Sequence, residues 1–426
     1  MKEYFNRQYN LLSLRCLILF LSAVTTLPSN AQQISNDPFQ PYLTKKPPEI
    51  IIDHGFEKLP NGIRLRKLVF RSRSLMTDSG VKVIKVFAAI AYPAEPGKYP
   101  AVIRLHGGGG KADLDVAENF AKQGYVSLVL DIPGVADEVK NNKEGAWPKL
   151  PMITAKPDVT HSALFSAVAA SIQAFYLLRS QPDVDTTRMG IAGGSWGGYV
   201  ATMLSTLVNN DVAATWSVFG TGNFLAGANE KPNIEKLPAA EKSEWVKYLD
   251  PGMRAANITK PYYIITASND RHWSWMAVQA TLSSIKGHTS VLYSPNDNHK
   301  INYPGSWRMM EFFNYYLKKY GPPLPELIVV RAKLNKKGQL DVVLKPINAG
   351  NMAKVNVFYS NPELLWTQRE WKQVPASVAG QRFTASIPNA AFKNEVDWYA
   401  TITDKNSAWS DSLYSASTWI HQIKKK

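Results

Sequence analysis

Arg188-Met189-Gly190-Ile191-Ala192-Gly193-Gly194-Ser195-Trp196-Gly197-Gly198-Tyr199 is the stretch on which the fold turns. An apolar, strand-like run enters the pattern GxSxG at 193–197 and leaves it as a helical segment. Glycines flank the serine because a strand that reverses this tightly into a helix has no room for side chains against the neighbouring backbone. Such a turn lifts the Ser195 hydroxyl to the rim of a sheet, where a substrate can reach it. A small-residue turn that merely packs a helix on a strand is the bland reading, and strand before and helix after argue for a nucleophile instead.

Working outward from this turn, β-rich apolar runs alternate with longer helical stretches. Strands are expected at 82–91, 99–105, 126–130, 189–192, 213–218, 262–267 and 290–293. Helices are expected at 113–123, 162–179, 197–207, 273–286 and 306–319. That rhythm implies a largely parallel sheet with helices on both faces, whose active site lies at the carboxyl ends of the strands. After Gly321-Pro322-Pro323 the pattern changes to seven short alternating runs with no helix, at 326–334, 340–345, 354–359, 370–374, 382–387, 396–403 and 412–419. These predict an all-β immunoglobulin- or fibronectin-like sandwich. Its Trp366, Trp371, Trp398 and Trp409 could form a carbohydrate-binding face, although a small domain needs large side chains as core. The expected domains are 1–31, a signal peptide; 32–322, an α/β domain with N-terminal strands; and 323–426, the sandwich.

A serine hydroxyl is a poor nucleophile at neutral pH and needs a base, which needs a carboxylate to hold its tautomer. Downstream of Ser195 the histidines are His272, His288, His299 and His421. His299 is the candidate base, because it lies in the polar loop Ser294-Pro295-Asn296-Asp297-Asn298-His299 just after a strand. Asp270, which closes the apolar run from Tyr262 in a polar turn, is the candidate acid. Asp297 is its rival, but two positions from His299 on one loop it is poorly placed to reach the far imidazole nitrogen. Leu105-His106-Gly107-Gly108-Gly109-Gly110 follows another strand, and its bare backbone can aim amide hydrogens at a developing oxyanion. The N–H of Trp196 and that of Gly108 are the expected donors. Trp273 and Trp275 lie beside the acid, where rings of this size either line a substrate pocket or pack as core. A phosphate loop is excluded because Ala112 follows Lys111, and the glycine run lacks dinucleotide-binding spacing.

At these residues the chain resembles the α/β-hydrolase superfamily, within it the secreted dienelactone-hydrolase and acetyl-xylan-esterase-like group, through HGGGG, GGSWGGY, the Asn269-Asp270 strand end and His299. The resemblance covers about 82–320. It implies a serine carboxylesterase with a Ser-His-Asp triad that needs no cofactor or metal and acts on acetylated carbohydrate or another short acyl ester. Trp196 stands where the cephalosporin-C deacetylase type usually has Gln, and Asp131-Ile132-Pro133-Gly134-Val135 where it has Arg-Gly-Gln. GGSWGGY is also similar to the prolyl oligopeptidase catalytic domain, so a serine peptidase is the alternative. Those enzymes usually carry a propeller ahead of the hydrolase, and the roughly fifty mature residues expected before 82 are too few for even two blades. A hydrolase fold that has lost its activity and only binds carbohydrate is a third reading.

The sequence has 426 residues, 45% hydrophobic and 19% charged, which rules out wholesale disorder. Its single cysteine, Cys16, falls in a segment with the parts of a secretory signal: Lys2, Arg7 and Arg15, an apolar run from Cys16 to Leu27, and small residues at Ser29-Asn30-Ala31. That run is short of the ~20 residues of a membrane span. A secreted or periplasmic protein starting near Gln32 is expected, with no disulfides, thiolate metal site or membrane insertion. The formal charge of +15 becomes +13 without the signal. Only Lys424-Lys425-Lys426 forms a basic run, and no nucleic-acid signature accompanies it. The expected partner is an ester of a small molecule or polysaccharide.

Overall fold

Two long antiparallel hairpin strands lead into a parallel sheet, and the computed structural model describes them within residues 37–302, 305–349, 353–391, 394–403 and 414–424. The expected signal segment and Trp409 lie outside the described residues. In chain order come β1 (Ile50–Lys58), β2 (Arg64–Thr77), β3 (Gly80–Tyr92), β4 (Tyr99–Leu105), α1 (Leu114–Lys122), β5 (Val126–Leu130) and α2 (Ala163–Arg179). They are followed by β6 (Val184–Gly194), α3 (Trp196–Leu207), β7 (Ala214–Val218), α4 (Lys231–Glu235), α5 (Ala239–Leu249), β8 (Tyr262–Ala267), α6 (Trp275–Ser284), β9 (Thr289–Ser294) and α7 (Gly305–Phe313). The rest is β: β10 (Glu326–Leu334), β11 (Leu340–Ile347), β12 (Lys354–Ser360), β13 (Lys372–Pro375), β14 (Ser377–Ala379), β15 (Arg382–Ile387), β16 (Glu395–Thr403), β17 (Tyr414–Ser417) and β18 (His421–Lys424).

Strands β5, β4, β6, β7, β8 and β9 lie side by side and parallel. Their sequences explain why. Val126–Leu130 and Tyr262–Ala267 are buried at every position, as strands covered on both faces must be. The covering helix α2 is buried around nearly its whole circumference, and Ser162 caps it by accepting the Leu164 N–H. Next to β5, the strands β3, β2 and β1 extend the sheet antiparallel. No helix among the described residues is long and apolar enough to cross a membrane.

All seven runs expected after 323 are strands, at β10, β11, β12, β13, β15, β16 and β17, joined by the short β14 and β18. A four-stranded sheet ordered β10-β11-β15-β14 faces β12 and β16 across a core that includes Leu340, Val342, Leu344, Val357, Trp398 and Ile402. Trp398 is buried and fills this core; Trp371 is buried too, but in a separate cluster with Tyr262, Ile264 and Val278 of the preceding α/β part; Trp366 is only partly covered. The second layer does not stand apart from the first part of the chain. Strand β17 pairs antiparallel with β9 at Ser417 and Val291, and the Tyr293 N–H donates to Ser417 Oγ at 3.1 Å. The central sheet therefore runs on through β17, β16, β12 and β13, with fourteen strands in all.

Trp398 is wholly enclosed at the centre of the second core. Trp398→Ala should lower unfolding free energy by ~3–5 kcal/mol, read as a shift in the urea midpoint by circular dichroism.

Candidate active site

Ser195 occupies backbone space that side chains avoid, with φ of 54° and ψ of −121°. Its surroundings enforce this. The Ser195 N–H donates to the Val218 carbonyl at 2.8 Å, and the Ser195 carbonyl accepts from the Tyr199 N–H at 3.0 Å. The glycines leave no alternative: a Cβ on Gly193 would lie 2.0 Å from the Gly197 oxygen, and one on Gly197 2.3 Å from the Leu105 oxygen. From the end of β7, Gly220 closes in so tightly that a Cβ there would sit 2.0 Å from the Ser195 oxygen. Ser195 itself remains partly exposed at the end of β6.

Three side chains distant in the sequence meet at this rim. His299 Nε2 lies 2.8 Å from Ser195 Oγ, and its Nδ1 lies 3.0 and 3.1 Å from the two carboxylate oxygens of Asp270. Asp270 is fully buried just beyond β8, and its Oδ1 also accepts from the N–H groups of His272 at 2.7 Å and Trp273 at 3.2 Å. The turn thus aims the carboxylate at the imidazole. The rival Asp297 is otherwise engaged. It accepts from Ser294 Oγ, from Asn302 Nδ2 and, at 3.1 Å, from the Asn302 N–H, bracing the loop that carries His299. His272 lies edge-on to His299, with ring centroids 4.4 Å apart, and its ring nitrogen Nε2 accepts from Arg271 Nε at 3.2 Å rather than bonding Ser195 or Asp270. Burial and the neighbouring His299 push its pKa down.

The glycine loop after β4 rests directly on the elbow. A Cβ on Gly107 would lie 3.2 Å from the Ser195 Cβ, and one on Gly108 would lie 2.9 Å from Trp196 Cδ1. Trp196 opens α3, so its N–H belongs to the first turn, where amides lack intrahelical acceptors. His106 shapes the loop, a role that sequence reasoning left unassigned. Its Nδ1 bonds the Gly107 carbonyl at 2.8 Å, and its Nε2 accepts the Ile132 N–H at 3.0 Å. This pairing requires the neutral ring, and burial lowers the pKa of His106 accordingly. Asp131 fixes the far side by accepting from the Ala112 N–H at 2.7 Å and the Asn142 N–H at 3.1 Å.

Aromatic rings wall the site. Trp273 is buried, packs edge-on to Trp196 at 5.4 Å and lies 6.2 Å from the His299 ring. Trp275 goes elsewhere, packing on a separate cluster with Val278, Tyr262 and Trp371, so the structure does not bring it to the rings around Ser195. Phe219 was not singled out by the sequence, yet its ring lies 4.2 Å from that of His299. It is the first residue beyond β7, and position at a strand's carboxyl end is the signal that could have found it. Among the described residues, no three His, Cys, Asp or Glu side chains gather as a metal ion would require.

Comparison with known structures places this architecture. The acetyl xylan esterases of Paenibacillus sp. R4 and Thermoanaerobacterium sp. JW/SL YS485 superpose with a TM-score of 0.53 each, at 18% and 19% identity, over 66% of this chain and 92% of theirs. The fold is that of the α/β-hydrolases. A family model described as acetyl xylan esterase matches residues 71–249, and one described as PhoPQ-activated pathogenicity-related protein matches residues 228–364. Acetyl esterase Axe7A of Xylanibacter ruminicola is 24% identical over 206 residues, which are 43% of this chain. The chain spans 46% of the length of that relative. The stretch matched by the acetyl xylan esterase model, 71–249, includes the elbow at Ser195.

Gly197→Ala should cost at least ~3 kcal/mol, the upper end of ordinary overpacking, measured by chemical denaturation. Burial also depresses the pKa of His421, which stacks on Trp398. For His106 and His421 the unfolded chain therefore takes up protons first, near the ordinary value of 6.5. Their stability contribution is complete above that pH and is lost as pH falls through it. The melting temperature should drop between pH 7.5 and 5.5, and His421→Phe, which keeps a ring on Trp398, should flatten the drop.

Proposed function

We propose that the protein hydrolyses carboxylic esters by acyl transfer through Ser195, on short acyl groups, acetyl foremost, carried by carbohydrate. The observation that carries this reading is the 2.8 Å approach of His299 Nε2 to a hydroxyl on a strained turn, with Asp270 on the other imidazole nitrogen at 3.0 Å. Ser195 Oγ attacks the ester carbonyl carbon as its proton passes to His299 Nε2. Asp270 holds the Nδ1 proton and stabilises the imidazolium. The N–H groups of Trp196 and Gly108 receive the tetrahedral oxyanion, a reading supported by the place of Trp196 at the start of α3 and by the glycine loop packed against its ring. The carbon–oxygen bond to the alcohol breaks, and the alcohol leaves with the imidazolium proton. Water then gives a proton to His299 and its oxygen to the acyl carbon, and the acid departs as the proton returns to Ser195.

The acetyl preference draws on the names of the relatives and on the bulky rings of Trp196, Trp273 and Phe219, which favour a small acyl group over a long chain. The leader-like segment at 1–31 supports export, to where polysaccharide esters are found. Residues 323–426 are read as an immunoglobulin- or fibronectin-like sandwich on their two-layered strands.

Ser195→Ala should cut turnover of p-nitrophenyl acetate by ~1,000-fold or more and abolish labelling by a fluorophosphonate, with the circular dichroism spectrum unchanged; an active variant would sink the assignment. Asp270→Asn should lower turnover by about 1,000- to 10,000-fold. A loss of that size in Asp297→Asn alone would exchange the two roles. Acetate released from acetylated xylan, against cleavage of proline and alanine anilides, separates esterase from peptidase.

A further inference from the structure

The connection between β12 and β13, residues 361–371, leaves the C-terminal unit and settles on the two loops that carry Asp270 and His299. Trp366 donates its indole N–H to the Asp270 carbonyl at 2.8 Å. Trp371 donates its own to Asn269 Oδ1 at 2.9 Å, and Asn269 Nδ2 donates to the Arg369 carbonyl at 2.6 Å. On the histidine loop, Asn296 makes a two-way pair with the backbone of Trp371. Its Oδ1 accepts the Trp371 N–H at 2.7 Å, and its Nδ2 donates to the Trp371 carbonyl at 2.9 Å. Ser268 ties the two loops together by accepting the Asn296 N–H and donating to Asn269 Oδ1, each at 2.9 Å.

The connection is itself rigidly held. Arg369 pairs with Asp397 on β16, where both side chains are nearly buried, and donates to the Leu364 carbonyl at 3.0 Å and the Pro362 carbonyl at 3.2 Å. The guanidinium thus ties the Pro362 and Leu364 carbonyls of the connection to a buried carboxylate on β16. Indole N–H groups on stiff two-torsion side chains transmit that anchorage to the acid loop, Trp366 at the Asp270 carbonyl and Trp371 at the Asn269 side chain. A domain attached only for docking would need contacts anywhere on the hydrolase surface. These converge on the residue before Asp270, on Asp270 itself, and on a residue three before His299.

We infer that the 361–371 connection is a positioning element, and that Trp366 and Trp371 act through the loops to set the distance between Asp270 and His299. This rests on the ester-hydrolase reading. The assigned work of the C-terminal unit is thus completion of the acid–base pair, with Trp366 and Trp371 turned to the hydrolase rather than to a sugar.

The test uses the full chain. Trp366→Phe and Trp371→Phe keep a ring and delete one N–H each. Gln279→Ala is the control, because Gln279 Nε2 donates to the Ile420 carbonyl at 3.1 Å and joins α6 to the C-terminal unit without touching either loop. The tryptophan variants should lose ~10- to 100-fold in kcat, the scale expected of a sub-ångström to 1 Å misplacement, with KM within about twofold. The rate of fluorophosphonate labelling of Ser195 should fall in step. Gln279→Ala should lose thermal stability and keep its kcat. Tryptophan variants that lose stability alone, with kcat and labelling rate unchanged, would overturn the inference. Trp366, the less buried of the two, decides the matter if Trp371→Phe does not fold. A wild-type protein that neither turns over esters nor takes the label would instead overturn the hydrolase reading, and the positioning role with it.

Discussion

The left-handed backbone of Ser195 is the constraint on which the rest of the site depends. A residue held there costs of order 1–3 kcal/mol, so it persists only where its surroundings over-determine it. Here β4, β6, β7 and α3 all close on one point. The Leu105 carbonyl excludes any side chain at 197, the Ser195 carbonyl excludes one at 220, and the Val218 carbonyl takes the Ser195 N–H. The proposed nucleophile is therefore held by packing, and the imidazole and carboxylate need only arrive at a place already made.

Their arrival is managed by loops that use carboxylates in two ways. Asp270 points into the imidazole because two successive N–H groups bind one of its oxygens. Asp297, two residues from His299, points inward to Ser294 and Asn302 and gives its loop its shape. Burial alone does not separate them, since both are covered. What separates them is which side chain each can reach from its own turn.

Sequence patterns revealed much of this because the parallel strands are buried on both faces and read as uninterrupted apolar runs, while GxSxG has few structural uses between a strand and a helix. C-terminal strands such as β11 and β15 were legible for the opposite reason, one face wetter than the other, whereas β16 is covered on both sides. Strand β2 fell among the expected N-terminal strands without bounds, since RLRKLVFRSRSLMT sets four arginines and a lysine among its apolar residues, several of them only partly buried. Phe219 beside His299, and Trp275 turned away from it, depend on where neighbouring strands end in space. The pairing of β17 with β9 joins residues more than a hundred positions apart, for which no local pattern exists.

That pairing has a bearing on how the molecule behaves in solution. The outermost strand of a parallel sheet bares a row of unsatisfied amides and carbonyls that invites other chains. Without β17, the flank of β9 would be such a row, immediately below the loop that carries His299. Strand β17 of the same chain meets that border at Ser417 and Val291 and covers part of it against edge-to-edge association, beside the loop that carries the imidazole.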